Sequence, residues 1–141
     1  MEEQLISFET SKLAKTKGFN YECLFIYYSD YRVEAGKLSQ QSFKNDWNNA
    51  GDMYNSAPTQ SLLQKWLREK YNIMVDVVAT YHEKDLPLLP NVFPKPDYYI
   101  AWDYYDGDFC DEDTPHFKKY EDALEFGLQR SLNYLTNESQ I

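Results

Sequence analysis

The sequence is short of the residues from which metal centres and disulfide scaffolds are made. Its only cysteines are Cys23 and Cys110, and its only histidines are His82 and His116. These four form no close pair of the kind zinc sites use, and two distant cysteines do not make a disulfide framework. Neither cysteine lies in a nucleophile motif, so a Cys–His hydrolase finds no support. Glycine is also scarce, with 5 in the chain, and neither a phosphate-binding glycine loop nor a dinucleotide fingerprint occurs. No cofactor is expected, and catalysis has no residues on which to rest. Apolar runs of roughly 20 residues, the length of a membrane span, are absent. The first residues, Met1-Glu2-Glu3-Gln4, are acidic and polar, with no apolar leader core behind them. The expectation is a cytoplasmic protein of a reducing compartment with no membrane contact.

Positive charge is the next shortage. Lys and Arg number 14 against 23 Asp and Glu, a net charge of −9. From Asp97 to Phe126 ten acidic residues face only Lys118 and Lys119. A phosphate backbone would be repelled, so nucleic acid is not an expected partner. The acidity serves solubility, or forms a face that meets a basic partner or imitates a nucleic acid toward one. Asp103, Asp106, Asp108, Asp111, Glu112 and Asp113 look at first like a calcium loop. Counting from Asp103, however, the third and fifth places hold Tyr105 and Gly107, where an EF-hand needs oxygen ligands. A solvated hairpin tip is the simpler reading.

Aromatic residues are what the chain has in excess, at 17%, with 13 Tyr, 8 Phe and 3 Trp. Tyrosine suits half-buried sheet faces and binding surfaces. The length, 141 residues, fits a single domain covering residues 1–141.

Local patterns then give an element order. Ser7 is placed to cap a first helix carrying Leu13 and Ala14, stopped by Gly18 with Phe19 folding back. Glu22 to Tyr28 reads as a strand. Ser29 to Tyr54 is polar and sustains no period, which fits a loose hairpin or a long excursion. Its lone Trp47 is either a plug pinning the loop to the core or a handle on a pocket beneath it. Pro58 opens a helix with Leu62, Leu63, Trp66 and Leu67 on one face and a stop at Asn72. Ile73 to Tyr81 is a strand, and the prolines of residues 82–96 make a stiff connector. Asp97 to Tyr105 is a second strong strand, followed by the turn signal Asp106-Gly107 and a short return near His116 to Tyr120. A last helix from about Tyr120 to Leu135 places Leu124, Gly127, Leu128, Ser131, Leu132 and Leu135 on one face. Gly127 there implies close approach to a sheet, since it otherwise costs about 1 kcal/mol relative to Ala.

The fold class is α+β. An antiparallel sheet of about four strands packs against helices in the order helix, strand, helix, strand, strand, strand, helix. The second half shares its element order with double-stranded-RNA-binding domains, but its acidity falls where such domains need basic contacts.

Three stretches stand out together. They are Ile6-Ser7-Phe8-Glu9-Thr10 with Lys12-Leu13-Ala14 and Gly18-Phe19; Ala57 through Glu69; and Tyr120-Glu121-Asp122-Ala123-Leu124-Glu125 with Gly127-Leu128. Over nearly the whole chain they resemble a group of short hypothetical proteins of phages and mobile elements in gut Bacteroidetes. Members of that group often carry Thr before the last motif's Tyr. Lys119 stands here instead, so a capping box is not carried over. The resemblance implies an accessory protein in a bacterial host and supplies no catalytic residue.

Two functional readings follow. In the first, a non-catalytic protein binds a protein partner, or a second copy of itself, through an acidic tyrosine-rich surface. If helices cover the strand face bearing Tyr98, Ile100, Trp102 and Tyr104, then Tyr99, Asp103 and Tyr105 point outward, joined by Asp106 and Asp108 at the turn. In the second, a small molecule or nucleotide occupies a pocket under the Trp47 loop.

Overall fold

The computed structural model describes residues 3–30, 33–81, 96–105, 108–109 and 115–135. Its elements run α1 (Phe8–Thr16), β1 (Cys23–Asp30), β2 (Val33–Asn45), a single 3-10 turn (Trp47–Asn49), β3 (Tyr54–Ser56), α2 (Gln60–Tyr71), β4 (Ile73–Thr80), β5 (Tyr98–Tyr105), β6 (Asp108–Phe109) and α3 (Tyr120–Tyr134). The α+β class and the coarse order match expectation. The sheet does not: the described strands form two antiparallel sheets of three, ordered β2-β1-β3 and β4-β5-β6.

The extra sheet comes from the segment expected as a loose hairpin or a long excursion, and of the two it is the antiparallel pairing that forms. β2 is 13 residues long and pairs with β1, setting Phe25 opposite Gln40, Ile26 opposite Ser39 and Tyr27 opposite Leu38. It is an edge strand, and Lys37, Gln40 and Ser42 along it are exposed. Backbone pairing rather than apolar alternation therefore builds it, and a hydrophobic-period search passes over it. Beyond β2, Asn48 ties the polar loop down. Its side chain donates to the Phe19 carbonyl (2.9 Å) and accepts from the Ser56 amide (2.8 Å). The Lys15 ammonium adds bonds to the carbonyls of Gly51 (3.0 Å) and Tyr54 (2.6 Å).

Helix boundaries follow side-chain chemistry. Ser7 accepts from the Thr10 amide at the start of α1, and Gly18 takes the left-handed conformation (φ 92°) beyond its end. Thr59 caps α2 by accepting from the Leu62 amide, so Pro58 lies just ahead of the cap rather than within the first turn. Asn72 closes α2 in the left-handed region (φ 57°). α3 begins at Lys119 with no side-chain cap, and Glu121 and Asp122 supply negative charge in its first turn.

α3 lies across the second sheet. The β4–β5 register pairs Val75 with Asp103 and Val77 with Ala101, and these residues alternate with Met74–Tyr104, Asp76–Trp102 and Val78–Ile100 on the opposite face. A Cβ on Gly127 would stand 2.8 Å from Val75 Cγ1 and 2.9 Å from Ala101 Cβ. The glycine is thus explained by close approach, and Leu124, Leu128, Leu132 and Leu135 follow it into the core.

A carboxylate joins the three helices. Glu125 on α3 accepts from the Ser7 amide (2.9 Å) and the Thr10 hydroxyl at the start of α1, and from Gln60 Nε2 of α2 (3.0 Å). It supplies negative charge at the α1 N-terminus that α1 itself provides only through Glu9.

Candidate functional site

The strand face proposed for recognition is covered. Asp103 is 3% exposed and receives a bidentate contact from Arg130, Nε to Oδ2 at 3.0 Å and Nη2 to Oδ1 at 3.2 Å. Ser131 Oγ donates to the same carboxylate at 2.9 Å, and Arg130 Nη2 also reaches the Ala101 carbonyl at 2.8 Å. The outward assignment of Asp103 is therefore corrected: α3 packs on the Ala101–Asp103 side. The reason is steric. Ala101 and Gly127 are small enough for helix and strand to meet, whereas Tyr98, Trp102 and Tyr104 fill the other face. Tyr99 is half-buried, pairs through its backbone with Phe117, and sets its ring edge-on to Tyr120 at 6.0 Å. The side chains of Tyr105 and Asp108, and all of Asp106, lie outside the described residues, as do His82 and Cys110. Asp103 and Tyr99 are thus the described members of the expected surface, and Asp103 is structural.

Trp47 is a plug. It is 8% exposed, donates its indole N–H to the Cys23 carbonyl at 2.8 Å, and packs against Phe43 and Tyr54 with ring centres 5.3 and 5.8 Å away. It belongs to the continuous core together with Ile26 and Trp66. These contacts fill the space against its ring, and Trp47 is not among the residues lining the nearby cleft.

An open cleft of about 940 Å³ lies instead on the other side of Cys23, between β1 and α2. Leu24 and Phe25 of β1, with Leu62 in the first turn of α2, give it an apolar floor backed by the buried Pro58. The N-terminal segment closes one end, where Ile6 donates to the Pro58 carbonyl (3.0 Å) and Gln60 to that of Gln4 (2.8 Å). Cations stand along the walls: Lys65 and Arg68 on α2, and Lys44 on β2. Glu3 and Glu22 also border it, and Glu3 is engaged by the Ser61 hydroxyl at 2.6 Å. Trp47 braces this cleft from behind, since the carbonyl it holds belongs to a lining residue.

Among the described residues the thiol at the cleft, Cys23, is held protonated by its surroundings. Cys23 is 3% exposed, and burial, aided by the negative charge of Asp46, pushes its pKa up to about 12. A thiol so raised stays protonated at neutral pH and is a poor nucleophile. Among the described residues no group of three or more His, Cys, Asp and Glu is placed to hold a metal, and no described helix is long and apolar enough to cross a membrane.

Sequence reasoning missed this cleft because its walls come from segments about 40 residues apart. One signal was present. Ser61, Leu62, Lys65 and Arg68 form a stripe beside the buried face of α2, and Leu62 is the member of the apolar set that remains half-buried. Comparison of the chain with protein-family models, curated proteins and solved structures gives no match. Fold and cleft together describe an α+β protein with an open, mixed-polarity groove and an inert thiol beside it.

Proposed function

We propose that the chain is a non-catalytic accessory protein, of the phage or mobile-element kind its motifs resemble, that works by binding a protein partner in the β1–α2 cleft. The observation that carries this reading is the cleft itself, open to solvent and floored by the half-buried side chains of Leu24, Phe25 and Leu62. Open apolar grooves with polar rims are the surfaces protein segments bind. The protonated Cys23 thiol beside it speaks for binding rather than covalent chemistry. The contact surface is moved from the tyrosine-rich strand, where Asp103 is spent on Arg130, to the cleft.

A small-molecule reading has one observation in its favour. The volume, about 940 Å³, falls within the roughly 300–1,000 Å³ of ligand sites. Native mass spectrometry of the tagged full chain recovered from its host distinguishes the two. A stoichiometric protein lost on Leu62→Arg supports the partner reading. An added mass of a few hundred daltons lost on the same change supports the ligand reading. A partner retained by Leu62→Arg and Leu24→Arg rules the cleft out.

A further inference from the structure

Resting on that reading, we infer that the segment held in the cleft is acidic, with apolar side chains between its carboxylates, and that Lys44, Lys65 and Arg68 read its charge. The protein as a whole carries −9, so a site that gathers cations runs against its overall field. Three of its 14 basic residues line this one cleft. Glu3 and Glu22 also border it, so its lining carries three cations against two carboxylates, a net of +1 within a protein of −9. Lys65 reaches Glu69 at 4.0 Å, with both side chains about half exposed, a pair of little strength that a better acceptor displaces. Among the described residues neither Lys44 nor Arg68 has a carboxylate at ion-pair distance.

The geometry sets the pattern as well as the sign. Lys65 and Arg68 are three apart on α2 and share a helix face; Lys44 stands on β2, on the far side of the Leu24–Phe25 floor. An extended segment sends alternate side chains to opposite sides. Residues facing the floor are then apolar, and those alternating with them lie at the open rim, within reach of the exposed side chains of Lys44, Lys65 and Arg68. Nucleic acid fits less well, because its phosphates would also face the remaining charge of a strongly acidic protein. The role of the cations is selection, since opposite charge across an interface suppresses wrong partners and speeds encounter more than it adds affinity.

The test is a selection of random 12-residue peptides on the immobilised full chain, repeated on the Lys65→Glu/Arg68→Glu double variant. Both positions are exposed, and circular dichroism checks that the fold is kept. Peptides of net negative charge with alternating apolar residues are expected from the native chain. The tightest of them, labelled for fluorescence anisotropy, should lose at least about tenfold in affinity on the double variant and weaken as salt rises. Basic or neutral winners, no enrichment at all, or acidic winners that bind the double variant equally well would each overturn the inference. So would stronger displacement of the peptide by single-stranded DNA or by an alkyl carboxylate. A host partner lost on Leu62→Arg but contacting the cleft through a non-acidic segment, located by cross-linking, would overturn this inference while leaving the binding reading intact.

Discussion

Replacing Gly127 with alanine sets two physical effects against each other, and the structure says which prevails. In an exposed helix the change would stabilise by about 1 kcal/mol, because alanine restricts the unfolded chain and suits the helix. Here the new methyl would sit 2.8 Å from Val75 Cγ1 and 2.9 Å from Ala101 Cβ. Carbon atoms rest at about 3.5–4.0 Å, so α3 would have to withdraw by roughly 0.7–1 Å. That gap opens under Leu124, Leu128 and Leu132, all buried on the same helix, and a gap of such size forfeits about a quarter to a half of each contact well. Overpacking of this kind costs about 1–3 kcal/mol, which outweighs the propensity gain. Gly127→Ala should therefore lose up to about 2 kcal/mol in urea unfolding followed by circular dichroism. The Ala101→Gly/Gly127→Ala double variant should show a favourable coupling of about 0.5 kcal/mol, small because the 2.8 Å contact with Val75 remains. A single variant more stable than the native chain by about 1 kcal/mol would refute the close approach of α3 to the sheet.

Three further outcomes are expected. Asp103→Asn leaves Arg130 charged and largely buried, its side chain 17% exposed. It should cost about 3 kcal/mol, the low end for a broken buried pair, and a loss below about 0.5 kcal/mol would return Asp103 to the surface role. Glu125→Ala removes the acceptor shared by Ser7, Thr10 and Gln60; a loss of about 2–3 kcal/mol is expected from stranded donors, with Glu125→Gln intermediate and native-like stability of the alanine variant counting against the network. Cys23 should resist a thiol-specific disulfide reagent at about pH 8 in a Cys110→Ser background, reacting only after urea is added. Its folded pKa is raised, from 9.0 to about 12. The stability it contributes is therefore full below about pH 9 and is lost as pH rises toward 12. A Cys23→Ala variant should accordingly show a flatter decline between about pH 9 and pH 11, and equal slopes would show the thiol to be solvated.

The sequence by itself determined the local features of this protein. Ser7, Gly18 and Asn72 mark helix ends through chemistry acting within a few residues, and the leucine spacing of α2 and α3 set their buried faces. Gly127 announced a close approach. Only the tertiary structure decided what it approached. Both faces of β5 are rich in aromatics, and the more apolar one, with Tyr98, Ile100, Trp102 and Tyr104, draws the expectation of helix cover and leaves Asp103 outward. The choice fell to Ala101, whose small size matters only once Gly127 is opposite it, and to Arg130, 27 residues away, which makes a buried carboxylate tolerable. The segment of β2 reads as either a loose hairpin or a long excursion for a related reason: its pairing is satisfied by the backbone of β1 and leaves little trace in side-chain period. The cleft is the furthest from sequence of all, because Leu24 and Lys44 meet Leu62, Lys65 and Arg68 only in the folded chain, where Trp47 holds the Cys23 carbonyl and the N-terminal segment pairs beside Pro58. Short-range rules fix where elements start and which face is greasy; which faces meet is settled by volumes and charges that are distant along the chain.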